Sequence, residues 1–307
     1  VCGERFNVVL ADMLDPADAR YQETVTHLEQ LGAEVLAVKA NICSTPDMEN
    51  LFASAWERFG RLDVGDRQCG VINFGYTWSR PRAGRKVINI DLIGTWRTDK
   101  YAAQYMMKQG FGRIINISST SGLYGTPKLA TYCMAKWGVL GLTKTLAKEA
   151  GGKGIIVNAL CPTKVKTPMC ETQSYVEFIN ESTGNHFKDY REMYEGVPFL
   201  DVEDISDMVY WMGTSRAAGK FNGRAVGPGP GHAAGVRRGN EYGKLWDSKC
   251  PQIEKDRFDG IFQLRHRGFL LLLYLRGHRS YIVFFYTDVA CISAATVGTI
   301  LLLSKIF

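Results

Sequence analysis

Apolar residues over the first 235 positions follow two rhythms. Short, continuous runs at Asn7–Ala11, Val35–Val38, Val71-Ile72, Ile114–Ile117 and Ile155–Leu160 read as strands. They lack the polar alternation of a half-solvated sheet, as strands buried on both faces do. Between them the apolar positions recur three and four apart. Tyr21, Val25, Leu28 and Leu31 form one such series, stopped by Gly32. Leu51, Phe52, Ala55 and Phe59 form another, opened by Thr45-Pro46 and stopped by Gly60, which are a cap, a first-turn proline and a C-terminal glycine. Further helices are expected around Leu92–Lys108 and Tyr132–Lys148. Strand and helix taking turns predicts an α/β fold, a doubly wound parallel sheet with right-handed crossovers.

Two stretches break the alternation. Thr167–Pro198 is rich in aromatics, among them Tyr175, Phe178, Phe187, Tyr190 and Tyr194. An insertion at this point of a doubly wound sheet lies over the carboxyl ends of the strands, so it is read as a lid over a ligand, with an ordinary dimer surface as the other reading of so many aromatics. The helix Asp204–Met212 and the strand Asn222–Val226 then close the sheet, and Gly227-Pro228-Gly229-Pro230-Gly231 is a turn-rich linker. The expected division is a domain over 1–235 and an atypical tail over 236–307.

Charge separates the same two parts. The net charge of +6 comes mostly from the tail, which has 11 basic against 6 acidic residues, leaving 26 against 25 before it. The main domain therefore has no basic footprint for nucleic acid. Within the tail, residues 281–303 are predominantly apolar and about long enough to cross a bilayer. Asp288 inside the run costs roughly 2.5–3.5 kcal/mol at a helix centre. Arg265, Arg267, Arg276 and Arg279 precede it, an asymmetry that would leave the main domain cytoplasmic. A membrane anchor, an extra packed helix and sequence foreign to the native gene product are the three readings of this tail. The first residue is Val1 rather than Met, which suggests a trimmed start. Eight cysteines without a Cys-x-x-Cys, and five histidines without ligand spacing, point away from a disulfide framework or a metal site.

The chemistry concentrates at Tyr132 and Lys136. Four apart on a helix, they share a face, so the ammonium is expected to lower the phenol's pKa and make it a proton carrier near neutral pH. Ser119, at the end of the run Arg113–Ser119, can hold the same substrate oxygen.

Several ordered motifs accompany the pair: Val8-Val9-Leu10-Ala11-Asp12, Phe59-Gly60-Arg61-Leu62-Asp63, Ile117-Ser118-Ser119, Val157-Asn158-Ala159 and Cys161-Pro162-Thr163-Lys164-Val165-Lys166-Thr167-Pro168-Met169. With them, Phe6–Ala234 resembles the short-chain dehydrogenase/reductase family, single-domain Rossmann enzymes that move a hydride between a nicotinamide and an alcohol or carbonyl. The form of the Pro162–Met169 segment is similar to the carveol-dehydrogenase-like subgroup, which acts on terpenoid and other secondary alcohols. The resemblance implies that Tyr132 is the acid/base, Ser119 the substrate-oxygen donor, and Lys136 both the tuning cation and a ligand of the nicotinamide ribose. Asp91 stands where the family has an Asn that holds a relay water, and its charge is expected to raise the Lys136 pKa. The resemblance further implies NAD rather than NADP, with Asp12 on the adenosine ribose. It adds Asn41, Ile42, Asn73 and Gly75 on the cofactor, and Pro162, Val165 and Thr167 at the nicotinamide. It also implies a small alcohol or ketone substrate and a homodimer or homotetramer pairing through the two long helices. Asn73-Phe74-Gly75 is matched to the family's Asn-Ala-Gly. The family's first strand, Gly-rich phosphate turn and first helix have no counterpart before Asn7, so the sheet is expected to carry unpaired edges beside the Asn7 strand. The alternative is a non-catalytic relic, or a fragment of a longer enzyme, unable to bind dinucleotide, for which a membrane tether in the tail is one reading.

Overall fold

The structure, a computed structural model, describes residues 6–79, 84–227 and 280–286. Seven parallel strands form one sheet in the order β2-β1-β7-β3-β4-β5-β6. They are β1 Phe6–Asp12, β2 Glu34–Lys39, β3 Val64–Arg67, β4 Gly112–Ile117, β5 Ile155–Leu160, β6 Ala225–Val226 and β7 Ser280–Tyr286. The helices are α1 Ala19–Gln30, α2 Thr45–Phe59, the single turn α3 Gly84–Val87, α4 Gly94–Gln109, α5 Ala130–Gly151, α6 Gln173–Thr183, α7 Tyr190–Gly196 and α8 Val202–Thr214. The α/β Rossmann-like class expected from the alternation is the one observed.

Each early element has a local cause. The Asp18 side chain accepts from the Arg20 amide and starts α1. For α2 the cap is Ser44, one residue ahead of the expected Thr45; its hydroxyl accepts from the Asp47 amide. Gly60 ends that helix at φ 72°, a left-handed conformation that a side chain would oppose. Val8, Leu10, Leu28, Met48, Leu51 and Phe52 are all at most 2% exposed and fill the space between the sheet and its helices. Burying a side chain of this size contributes about 1.5–3 kcal/mol.

Two expectations about the sheet are corrected. The third strand is Val64–Arg67, not Val71-Ile72, which lies in the irregular chain after it. Gly65, Asp66 and Arg67 hide this strand from an apolar pattern, yet all four of its residues are buried. The expected unpaired edges are also closed, by the chain's own tail. Strand β7 lies between β1 and β3, with Val9 opposite Val283 on one side and Gly65 opposite Val283 on the other. Its pairing with β1 runs the whole length, from Phe6 opposite Ser280 to Asp12 opposite Tyr286. Residues 281–286, the start of the expected membrane span, are thus strand in the sheet, and 287–303 lie outside the described residues. Among the described residues no helix is long and apolar enough to cross a membrane.

Helix α4 is preceded by a π-helical turn over Ile88–Ile93, which carries Asp91. Such turns widen the helix and leave carbonyls for other donors. The Thr167–Pro198 insertion forms α6 and α7 around its own apolar cluster of Cys170, Tyr175, Val176, Ile179, Met193 and Val197.

Candidate active site

Ser119 follows β4 and begins a 3-10 turn, Thr120–Gly122, in which its Oγ accepts from the Ser121 amide at 3.1 Å. This turn is pinned to α5. The Ser118 hydroxyl donates to the Lys136 carbonyl at 2.9 Å, and a Cβ at Gly122 would come within 2.9 Å of that same carbonyl oxygen. Glycine at this position is what allows the turn to reach the helix. The Thr120 amide donates to the Pro162 carbonyl at 2.9 Å, which joins the end of β5 to the same corner.

Tyr132 lies in the first turn of α5, half-buried, with the Ser119 side chain beside its phenol. Lys136 sits one turn on and is 3% exposed. Its Nζ donates to the Ile117 carbonyl at 3.1 Å, stands 3.4 Å from Asp91 Oδ2, and lies 5.4 Å from the centre of the Tyr132 ring. Asp91 is fully buried, and its Oδ1 accepts from the Val71 amide at 2.9 Å. The 3-10 turn after β4, the helix α5 and the π-helical turn thus bring Ser119, Tyr132, Lys136 and Asp91 into one cluster at the carboxyl end of the sheet.

The electrostatics differ from the expectation for Tyr132. Its pKa is pushed up, first by burial and second by the Asp91 carboxylate, with the neighbouring Ser119 hydroxyl pulling the other way. The Lys136 ammonium is aimed at Asp91 and a carbonyl rather than at the phenol oxygen. Lys136 itself titrates below its ordinary range, chiefly through burial. Asp91 raises it, as anticipated, but burial outweighs that and the Arg67 charge adds to the lowering.

The residues expected around a dinucleotide are dispersed. Asp12 ends β1, is fully buried, and its Oδ1 accepts from the Leu14 amide at 2.7 Å. Asn41 is engaged locally: its amide donates to Asp47 and its Oδ1 accepts from the Cys43 amide, both at 2.9 Å. Ile42 is 3% exposed and packs toward the start of α4, where a Cβ on Gly94 would meet its Cδ1 at 2.7 Å. Asn73 Oδ1 accepts from the Thr131 hydroxyl at 2.7 Å, and the Gly75 amide donates to the Lys128 carbonyl at 2.9 Å. These two therefore tie the chain after β3 to the start of α5. The tripeptide that directly follows β3 is Gln68-Cys69-Gly70, where a Cβ on Gly70 would stand 3.2 Å from Asp91 Oδ2 and 3.7 Å from Lys136 Nζ. Val165 is buried and bridges Leu200, and the Thr167 hydroxyl donates to the Val165 carbonyl at 3.3 Å.

Sequence reasoning missed Arg67 and Gly70. Both stand near Asp91, and the signal was in the spacing: Leu62-Asp63, one of the quoted motifs, leads straight into this strand.

With the cluster in place, comparison with known proteins has a physical footing. A profile described as short chain dehydrogenase matches residues 4–176, and the chain belongs to that family. An uncharacterized NAD-dependent oxidoreductase of Mycobacterium tuberculosis is 33% identical over 211 residues, 66% of this chain and 74% of that protein. The trans-4-hydroxycyclohexanecarboxylate dehydrogenase of Sinomonas cyclohexanicum is 39% identical over 167 residues, 53% of this chain and 64% of that one. Among solved structures, the crystal structure of levodione reductase matches with a TM-score of 0.61 at 25% identity, covering 75% of this chain and 98% of that one. The protein is thus an oxidoreductase of the alcohol and ketone type, with an NAD(P) cofactor and a small-molecule substrate.

Proposed function

We propose that this chain interconverts a secondary alcohol and its ketone with NAD(H), using Tyr132 as the acid/base. The observation that carries the reading is the cluster itself: a serine hydroxyl and a phenol side by side, next to a buried lysine fixed by a carboxylate and a carbonyl. The donor set fits a dinucleotide at its two ends. At one end is the carboxylate of Asp12, whose charge favours ribose hydroxyls over a 2′-phosphate. At the other, Gly70 leaves a gap beside Asp91 and Lys136 that a side chain would fill. The cofactor would supply or accept the hydride.

The chain's own residues handle the proton. With its pKa raised, Tyr132 holds its proton at neutral pH and can give it to the oxygen of a ketone as that oxygen gains negative charge. Ser119, beside the same phenol, would orient that oxygen. Lys136, held by Asp91, would bind the nicotinamide ribose and return the proton to Tyr132. The lid supports a ring-bearing, largely apolar substrate: Phe74 packs edge-on against Tyr175 at 5.9 Å and tilted against Phe178 at 4.9 Å between ring centres. A terpenoid-like alicyclic alcohol fits such a cover. Trp96 on α4 and Met134 and Trp137 on α5 are exposed, which supports pairing of copies through these helices.

The test is oxidation of alicyclic secondary alcohols followed by NADH absorbance, with NADH fluorescence to measure binding. Saturable NADH binding, and NAD favoured over NADP by about tenfold or more in kcat/KM, support the reading. No binding at millimolar NADH defeats it and leaves the non-catalytic relic.

A further inference from the structure

Arg67 is the least expected side chain near the cluster. It ends β3, is 2% exposed, and forms no salt bridge among the described residues. Its guanidinium instead donates to neutral groups of the turn that carries Asp91. One nitrogen bonds the Thr95 hydroxyl at 2.7 Å and reaches the Asp91 carbonyl at 3.5 Å, and another bonds the Ile90 carbonyl. Thr95 closes the arrangement by donating to the Asp91 carbonyl at 2.6 Å. These are carbonyls inside the π-helical turn, where the ordinary helical pairing is interrupted.

A cation buried on neutral acceptors is costly unless its geometry does something else. We propose that Arg67 is a positioning residue that clamps the π-helical turn so that Asp91 faces Lys136 on one oxygen and Val71 on the other. The clamp acts through the backbone of Ile90 and Asp91, and the Asp91 side chain is thereby left to its two partners. This rests on the reading of Lys136 and Asp91 as parts of the acid/base site. The charged and titratable groups facing Lys136 are Asp91 from the π turn, Arg67 from β3, Cys69 just after β3, Cys161 at the end of β5, and Tyr132 on its own helix.

Two effects follow from Arg67 and they have opposite signs on Lys136. Its charge opposes the ammonium, while its clamp keeps the Asp91 carboxylate close and favours the ammonium. Arg67→Gln keeps a donor for the carbonyls and drops the charge. Arg67→Lys keeps the charge and loses the fork of donors.

The experiment uses the full chain with lysine labelled at 13Cε, the Lys136 resonance being assigned by its loss in Lys136→Arg, and titrates that resonance. Arg67→Gln is expected to move the Lys136 midpoint up and Arg67→Lys to move it down, each by about half to one pH unit. Arg67→Lys should also speed exchange of the Val71 amide about tenfold as Asp91 withdraws. Shifts of the same sign in both variants, or none, overturn the clamp. If one variant does not fold, the other decides alone. If neither folds, Thr95→Val decides: faster Val71 exchange supports the clamp and unchanged exchange overturns it. No arm needs turnover, so failure here is separable from failure of the enzymatic reading.

Discussion

The half of the sheet built from β3, β4 and β5 is assembled from neighbours in the chain, each strand leading through a helix to the next. In the other half, β2 and β1 are also neighbours, but the strand that joins them to β3 arrives from the far end of the chain. The first half carries the Ser119, Tyr132, Lys136 and Asp91 cluster, whose residues all come from the chain between β3 and β5. The second half carries Asp12 and depends on a long loop closure before β7 can pair. The proton-handling cluster and the Asp12 strand therefore rest on supports of different kinds.

Tyr132→Phe should give the largest effect. It removes the phenolic proton and leaves the packing, so kcat with a secondary alcohol should fall by about a hundredfold to ten-thousandfold. Thermal stability and NADH fluorescence should hardly change. Turnover within about twofold of the parent would remove Tyr132 from the mechanism.

Val283→Pro addresses the other half. Val283 is opposite both Val9 and Gly65, so a proline there deletes a ladder hydrogen bond in the interior of the sheet. A loss of about 3 kcal/mol or more is expected in urea unfolding. Amides of Val8–Leu10 and Val64 should lose exchange protection, while those of β5 and α5 keep most of theirs. Uniform loss across the sheet would show that the two halves form a single cooperative unit.

Asp99→Asn returns to the β3–β5 half and tests it by pH. Asp99, on α4, is 2% exposed, and its Oδ2 accepts from Asn116 Nδ2 at 2.8 Å. Burial pushes its pKa up from 3.8 to about 7, opposed by the Asn116 hydrogen bond and the Arg67 charge. The folded carboxyl keeps its proton where the unfolded chain has released it, so this group's effect is nil below pH 4 and becomes destabilising as pH rises toward 7. The asparagine retains an oxygen for Asn116 and has no proton to lose. It should be more stable than the parent at pH 8, by on the order of 2 kcal/mol, and equal to it at pH 3.5. A pH-independent difference would mean that Asp99 does not titrate in this range.

What was legible follows the same division. Tyr132 and Lys136 are four apart on one helix and Ser119 ends an apolar strand, so their proximity is written in local spacing. Asp91 was legible by position but its π-helical turn was not, since the turn depends on Arg67 and Thr95 reaching its carbonyls. β3 was misplaced because Gly65, Asp66 and Arg67 break the apolar pattern, and their burial is decided by surroundings the sequence does not display. An apolar run of bilayer length concealed β7, because hydropathy does not distinguish a strand buried in protein from a span buried in lipid. The direction of the Tyr132 shift was missed because helical spacing places an ammonium near a ring without saying which group it points to.

The smallest expected effect concerns the lid, which touches the catalytic half from outside. Lys128 precedes α5 with φ 66°, unusual for a side chain other than glycine or asparagine. Its ammonium pairs with Glu181 on α6 and lies 4.7 Å from the ring centre of Tyr76, whose hydroxyl also donates to Glu181 at 3.1 Å. An exposed pair of this kind contributes little to global stability. It does join three segments over the site: the chain after β3, the start of α5 and the lid helix. Asparagine tolerates the same backbone, so Lys128→Asn removes the pair without adding strain. The melting temperature should stay nearly constant while amide exchange in α6 becomes faster, a change confined to local opening. If α6 exchange stays at the parent rate, the lid is held by the packing of Phe74, Tyr175 and Phe178 rather than by this pair, and the lid belongs energetically to the core.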